Sequence, residues 1–96
     1  MGFFKDIRVA ENGRAERLVA VGALGWARID GVHDTGLTAG DDAALIFDLT
    51  VEVPGRERYR TAHTQVVSRD AAERLKQGAR VPVRVDPEDP TELLLS

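Results

Sequence analysis

Two histidines, two groups of carboxylates and one row of arginines are the residues of this 96-residue chain whose chemistry could reach beyond folding. His33 stands next to Asp34, the kind of pairing in which a carboxylate orients an imidazole for general-base work. No serine sits in a nucleophile elbow beside it, since Ser68 and Ser96 lie in no such motif. The chain has no cysteine, which excludes thiolate nucleophiles, disulfides and cysteine-ligated zinc. The spacing of His33 and His63 matches no metal motif. The structural reading is preferred: His63 packs beside Tyr59 or Gln65, and Asp34 hydrogen-bonds within its own turn.

Asp41-Asp42 and the trio Asp86, Glu88 and Asp89 offer oxygens to a hard cation. Calcium needs roughly six to eight of them in a defined loop, and neither group follows the EF-hand pattern. In the run Asp86-Pro87-Glu88-Asp89-Pro90 each proline presets φ and each aspartate can accept a local backbone hydrogen bond, so a reversal of direction explains it. Gly36 and Gly40 form no phosphate-binding pattern ahead of a helix. We therefore expect no catalytic residue, no metal ligand, no cofactor and no enzymatic activity.

Arg56, Arg58 and Arg60, with Tyr59 among them, are the basic cluster worth weighing. On a barrel face they could meet phosphates while an aromatic side chain stacks on a base. Phe47 and Tyr59 are expected inside, which leaves Trp26 as the surface stacker. The competing account is a strand edge kept soluble by arginine, with Glu52 and Glu57 neutralising part of it. Thirteen bases against 16 acids give a net charge of −3. A general phosphate-backbone binder has a basic excess instead. A protein partner is accordingly the first reading, and an oligonucleotide bound by Arg56, Arg58, Arg60 and Trp26 the second.

At the other end, Phe3, Phe4 and Ile7 recur at helical spacing, and so do Ala15, Leu18 and Val19. Phenylalanines on a free arm are too apolar for water, so they pack onto their own domain, pair with another copy or touch a membrane surface. Packing is preferred to self-association, and membrane contact ranks third, because Asp6, Glu11 and Glu16 offset Lys5, Arg8, Arg14 and Arg17. No apolar run approaches membrane-span length and MGFFKDIRVAE lacks a signal peptide's apolar stretch, so a cytoplasmic location is expected.

The elements that must position these residues belong to one domain, burying roughly 64% of the extended chain's surface. Residues 1–22 read as an amphipathic helical arm interrupted at Asn12-Gly13, where a hairpin is the alternative. Gly22 and Gly25 punctuate its exit. Residues 23–96 form the barrel domain, and from Gly25 onward the period becomes two. Ala27 and Ile29 share one face against Arg28 and Asp30, and a bulge at Gly31 would return Val32 to the apolar side. Leu45, Phe47, Leu49, Val51 and Val53 alternate in the clearest strand, which Pro54-Gly55 turns. In the third strand either Tyr59, Thr61, His63, Gln65 and Val67 or Arg60, Ala62, Thr64 and Val66 face inward, and aromatic bulk favours the first set.

Ser68 or Asp70 caps a short helix with Ala71, Ala72 and Leu75 on its apolar stripe and Gly78 as its C′ residue. Val81, Val83 and Val85 then alternate, with Pro82 pointing to an edge or a bulge, and Glu92 to Leu95 close the chain. Five strands with a helix between the third and fourth make an all-β, OB-like barrel with an N-terminal helical arm.

The ordered combination Asp34-Thr35-Gly36, Pro54-Gly55, Tyr59, Gln65-Val66-Val67, Leu75, Gly78 and Pro82 through Pro90 resembles a family of small, uncharacterised bacterial β-domains, mostly actinobacterial. The resemblance covers about residues 20–95. It implies a compact β-barrel and no known reaction. Relatives often begin much like MGFFKDI, and some end in a C-terminal oligomerisation helix that this sequence does not show.

Overall fold

The computed structural model describes residues 16–96, so Phe3, Phe4, Ile7, Ala15 and the Asn12-Gly13 interruption lie outside the described residues. Residues 16–21 are helical (α1). Five strands follow, β1 (Ala23–Ala39), β2 (Asp42–Glu52), β3 (Tyr59–Val67), β4 (Arg80–Asp86) and β5 (Asp89–Leu95), with α2 (Arg69–Arg74) between β3 and β4. All pairings are antiparallel, in the order β3-β2-β1-β4-β5, and β3 and β5 approach each other to leave a nearly closed barrel.

A sheet curls this far because β1 bends. Ile29 pairs with Leu49 and Gly31 with Asp48, leaving Asp30 as the extra residue of a bulge. Alternation therefore resumes on the other side of it, and Ala27, Ile29 and Val32 all meet the core. Phe47, Leu49, Val51, Val83 and Val85 are fully buried there, so the period of two translates directly into one apolar interior. On β3 the first set faces in: Gln65 and Val67 are buried while Arg60 and Ala62 are exposed.

The two end strands meet without a backbone ladder. Gln65 instead donates from Nε2 to the Leu95 carbonyl (3.2 Å) and accepts from the Leu95 N–H at Oε1 (3.1 Å), doing for β5 what a peptide group would do. Since Oε1 must be the acceptor, His63 at 2.8 Å donates through Nε2. The Tyr59 hydroxyl donates to the Pro90 carbonyl (2.8 Å) farther along the same seam.

Four local expectations are corrected. Pro82 is not on an edge strand, because β4 lies between β1 and β5. Its carbonyl accepts from Ser96 N–H (3.1 Å), so its nitrogen faces the far end of β5. The Ser96 backbone oxygen that an N–H there would serve takes Arg74 instead (3.3 Å). The α2 helix opens on Ser68, whose hydroxyl accepts from Ala71 N–H, but it ends with Leu75 as its C-cap. Gly78, at φ +90°, belongs to the following loop and donates to the Ile29 carbonyl. Val19 does not share a buried face with Leu18: Leu18 is 1% exposed and Val19 is 59% exposed. Gly25 is not an exit from the arm but part of β1, where a Cβ would overlap the Glu52 carbonyl, so its absence lets β1 and β2 close.

The α1 helix is held by buried Leu18 and by Arg17, which grips both carboxylate oxygens of Asp86 (3.0 and 3.1 Å). Asp86 also accepts from Glu88 N–H (2.8 Å), and Asp89 accepts from Thr91 N–H (3.0 Å), so both aspartates serve the turn. The Arg17 hydrogen bond, then the Glu88 N–H, hold the Asp86 carboxyl below its ordinary 3.8. A carboxyl that is more acidic when folded stabilises the fold fully above the unfolded value and ceases to do so as pH falls through the folded one. In urea titrations, wild type should therefore exceed Asp86→Asn in stability at neutral pH, and the gap should close in acid. A gap that persists unchanged into strong acid would show that the ion pair contributes nothing.

Candidate interaction face

The strands carry their alternate residues outward, and register decides which of them meet. Arg80 on β4 lies opposite Arg28 on β1, Arg28 opposite Thr50 on β2, and Thr50 opposite Arg60 on β3. In the adjacent row Pro82, Trp26 and Glu52 face one another, and Leu24 lies next along β1 opposite Arg84. Trp26 is 43% exposed and Leu24 61%.

Around the indole the charges interlock. The Arg80 guanidinium stacks over the Trp26 ring with 4.5 Å to its centroid, a cation–π contact. Glu52 sits 3.3 Å from Arg58 and 3.8 Å from Arg80. Arg28 donates to Asp30 (2.8 Å), which also accepts from the Thr50 hydroxyl (2.6 Å). The Thr50 bond, then the Arg28 bond, hold the Asp30 carboxyl below its ordinary range. Trp26, Arg28, Thr50, Glu52, Arg58 and Arg80 line a cleft of about 120 Å³. A wider groove of about 420 Å³ beside it is bounded by Asp30, Asp48, Arg60 and Thr61.

Of the residues singled out in the sequence, Trp26 and Arg58 therefore come together, and Arg60 lines the neighbouring groove. Arg56 is elsewhere: it reaches over the end of the barrel to the Pro87 carbonyl (2.6 Å). Arg28 and Arg80 complete the face in its place. Pairing of β1 with β4, which sets Arg28 opposite Arg80, brings them in, and no local pattern announces it. His33 bonds Asp48 on β2 (2.8 Å) rather than Asp34, whose carboxylate caps Gly36 N–H (2.8 Å). Among the described residues no three His, Asp or Glu side chains gather as metal ligands would, and no helix is long and apolar enough to cross a membrane.

These features define a class: a small antiparallel β-barrel whose outer sheet carries a single tryptophan among arginines. Residues 34–96 match the family described as "Domain of unknown function (DUF3592)", and the chain belongs to that family. No curated protein and no solved structure matches the chain. The matched span contains Glu52, Arg58, Arg60 and Arg80 but begins after Trp26 and Arg28.

Proposed function

We propose that this barrel is a non-enzymatic interaction module of the cytoplasm, and that a partner protein docks on the outer face centred on Trp26. The observation that carries the reading is the half-exposed Trp26 beside exposed Leu24, ringed by Arg28, Arg58 and Arg80. Tryptophan and arginine are the residue types that dominate the energetics of protein interfaces. The face also breaks a rule of sheet design, because Arg28 and Arg80 stand directly opposite each other and like charges so placed repel. Local departures of this kind are found where function, not folding, selects the residue.

Oligonucleotide binding is the second reading, favoured by the same Trp26 and Arg58 on a barrel of suitable strand order. Sequence-independent binding of single strands uses successive aromatic platforms. Here Phe47 is buried and Tyr59 is turned to the seam, so Trp26 has no aromatic neighbour on its face among the described residues.

A photo-crosslinking amino acid placed at position 26 in living cells tests the proposal, with position 73 on exposed α2 as the control. A discrete adduct at 26 that is absent at 73, and lost when Arg58 and Arg80 are both replaced by glutamate, is expected. An adduct of twice the chain mass would identify a second copy as the partner. Indistinguishable patterns at 26 and 73 would refute the reading.

A further inference from the structure

We propose that the Trp26 face receives an acidic segment of its partner, whose carboxylates displace Glu52 from Arg58 and Arg80. This inference rests on the interaction reading above and adds the chemistry of the occupant. The chain as a whole is acidic, at −3, yet the Trp26 cleft gathers three guanidiniums around one carboxylate. Glu52 serves Arg58 poorly, at 3.3 Å against the roughly 2.7–2.9 Å of a good charge-assisted bond, and at 3.8 Å it is out of hydrogen-bonding reach of Arg80. Both arginines are mostly exposed, 65% and 58%, so each ion pair is weak and readily exchanged. Stacking on Trp26 holds the Arg80 guanidinium by its face, and the N–H donors around its rim remain suited to a carboxylate in its plane. The exposed surfaces of Leu24 and Trp26 add an apolar foothold beside the charges.

Carboxylates suit the site better than a phosphate chain. Glu52 between Arg58 and Arg80, and Asp30 against Arg28, interrupt the positive surface, and a strand of evenly spaced phosphates would be driven across them. A peptide can place one or two acids and an apolar side chain and leave the rest of the face untouched. Glu52 then acts as a built-in competitor: it keeps the arginines arranged in the free protein and must yield when the partner arrives.

Trp26 is the only tryptophan in the chain, so its fluorescence reports this site alone. The full chain would be titrated at low ionic strength with a synthetic octapeptide of glutamates flanking a leucine. Its glutamine counterpart and an eight-nucleotide oligothymidylate serve as comparisons. The glutamate peptide should shift Trp26 emission to shorter wavelength and saturate. The effect should weaken at physiological salt, where exposed charges are screened within about 8 Å. Glu52→Gln should tighten binding by up to about fivefold, the size of one exposed charge pair, and Arg58→Ala and Arg80→Ala should each weaken it by a like factor. Arg56→Ala, whose guanidinium lies on Pro87, should change nothing.

A merely structural Glu52 would leave affinity unaltered or lowered in Glu52→Gln, and either result overturns the proposal. So does a glutamate peptide without effect on Trp26, or an oligonucleotide that binds more tightly than the peptide. If crosslinking at position 26 still captures a protein while the peptide fails, only the acidic occupant is refuted. If crosslinking fails as well, the interaction reading falls with it.

Discussion

Replacing Phe47 by alanine is expected to cost about 3–5 kcal/mol of folding free energy, the range for emptying an aromatic site in a packed core. Phe47 is wholly buried in the middle of β2, between β1 and β3, where it lies opposite Val32 on one side and His63 on the other. Its neighbours Ile29, Leu49 and Val83 belong to paired strands whose backbones cannot collapse inward without breaking their ladders, so the cavity persists. Domains of this size have a total of about 5–15 kcal/mol to lose. Urea unfolding followed by circular dichroism should thus show a midpoint lowered by a large fraction, or a chain unfolded in buffer. Trp26→Ala is the matched comparison: it deletes a larger ring from a half-exposed position, so it should lower the urea midpoint clearly less than Phe47→Ala does. Equal costs for the two would contradict the placement of the core.

Gln65→Ala ranks second, for a different reason. The barrel seam has no ladder, and the Gln65 amide alone supplies both partners of the Leu95 backbone. Truncation leaves a buried N–H and a buried carbonyl unsatisfied, each costing about 1–3 kcal/mol, and takes an acceptor from His63. Hydrogen exchange at the Leu95 amide should accelerate together with the fall in the urea midpoint. If exchange at Leu95 stays as slow as in wild type, the seam is closed by something other than this side chain. Gln65→Glu sharpens the test through pH. An ionised carboxylate there can still accept from the Leu95 N–H but cannot donate to its carbonyl, and burial disfavours the charge. Its folded pKa should then lie above the unfolded one, so the variant is most stable in acid and loses that stability as pH rises through the folded value.

These residues differ in how openly the sequence displays them. Phe47 announces itself, because four other apolar residues flank it at a spacing of two and no helix would bury such a set on one side. The bulge at Asp30-Gly31 is nearly as plain, since alternation fails at a glycine and recovers with Val32 on the same face. Gln65 is legible only in part: aromatic bulk at Tyr59 puts its face inward, but nothing in the run from Arg60 to Val67 tells that an amide will stand in for a strand. Pro82 misleads for a related reason. The rule that proline seeks an edge holds for the missing N–H, and the end of β5 leaves that N–H unneeded inside the sheet.

The candidate face shows the same division. Trp26, Arg58 and Arg60 can be chosen from composition and strand alternation, because side chains on the polar side of a strand must face out. Arg56 cannot be separated from them by sequence, since only the fold shows that after the Pro54-Gly55 turn its side chain reaches over the end of the barrel to the Pro87 carbonyl. Arg28 and Arg80 enter only when β4 returns beside β1. Alternation, turn chemistry and the succession of strands and helix along the chain follow from the sequence alone, because each depends on neighbours within a few residues. Partners across the barrel were decided by the tertiary structure, because register between distant strands is set by the closure of the whole core and not by either strand.

The positive cluster at Trp26 exists only because an extended backbone wrapped about one apolar centre gathers Arg28 from β1, Arg80 from β4 and Arg58 from the segment entering β3. Finding indole and guanidinium far apart on a differently registered sheet would undo both the fold and the binding surface.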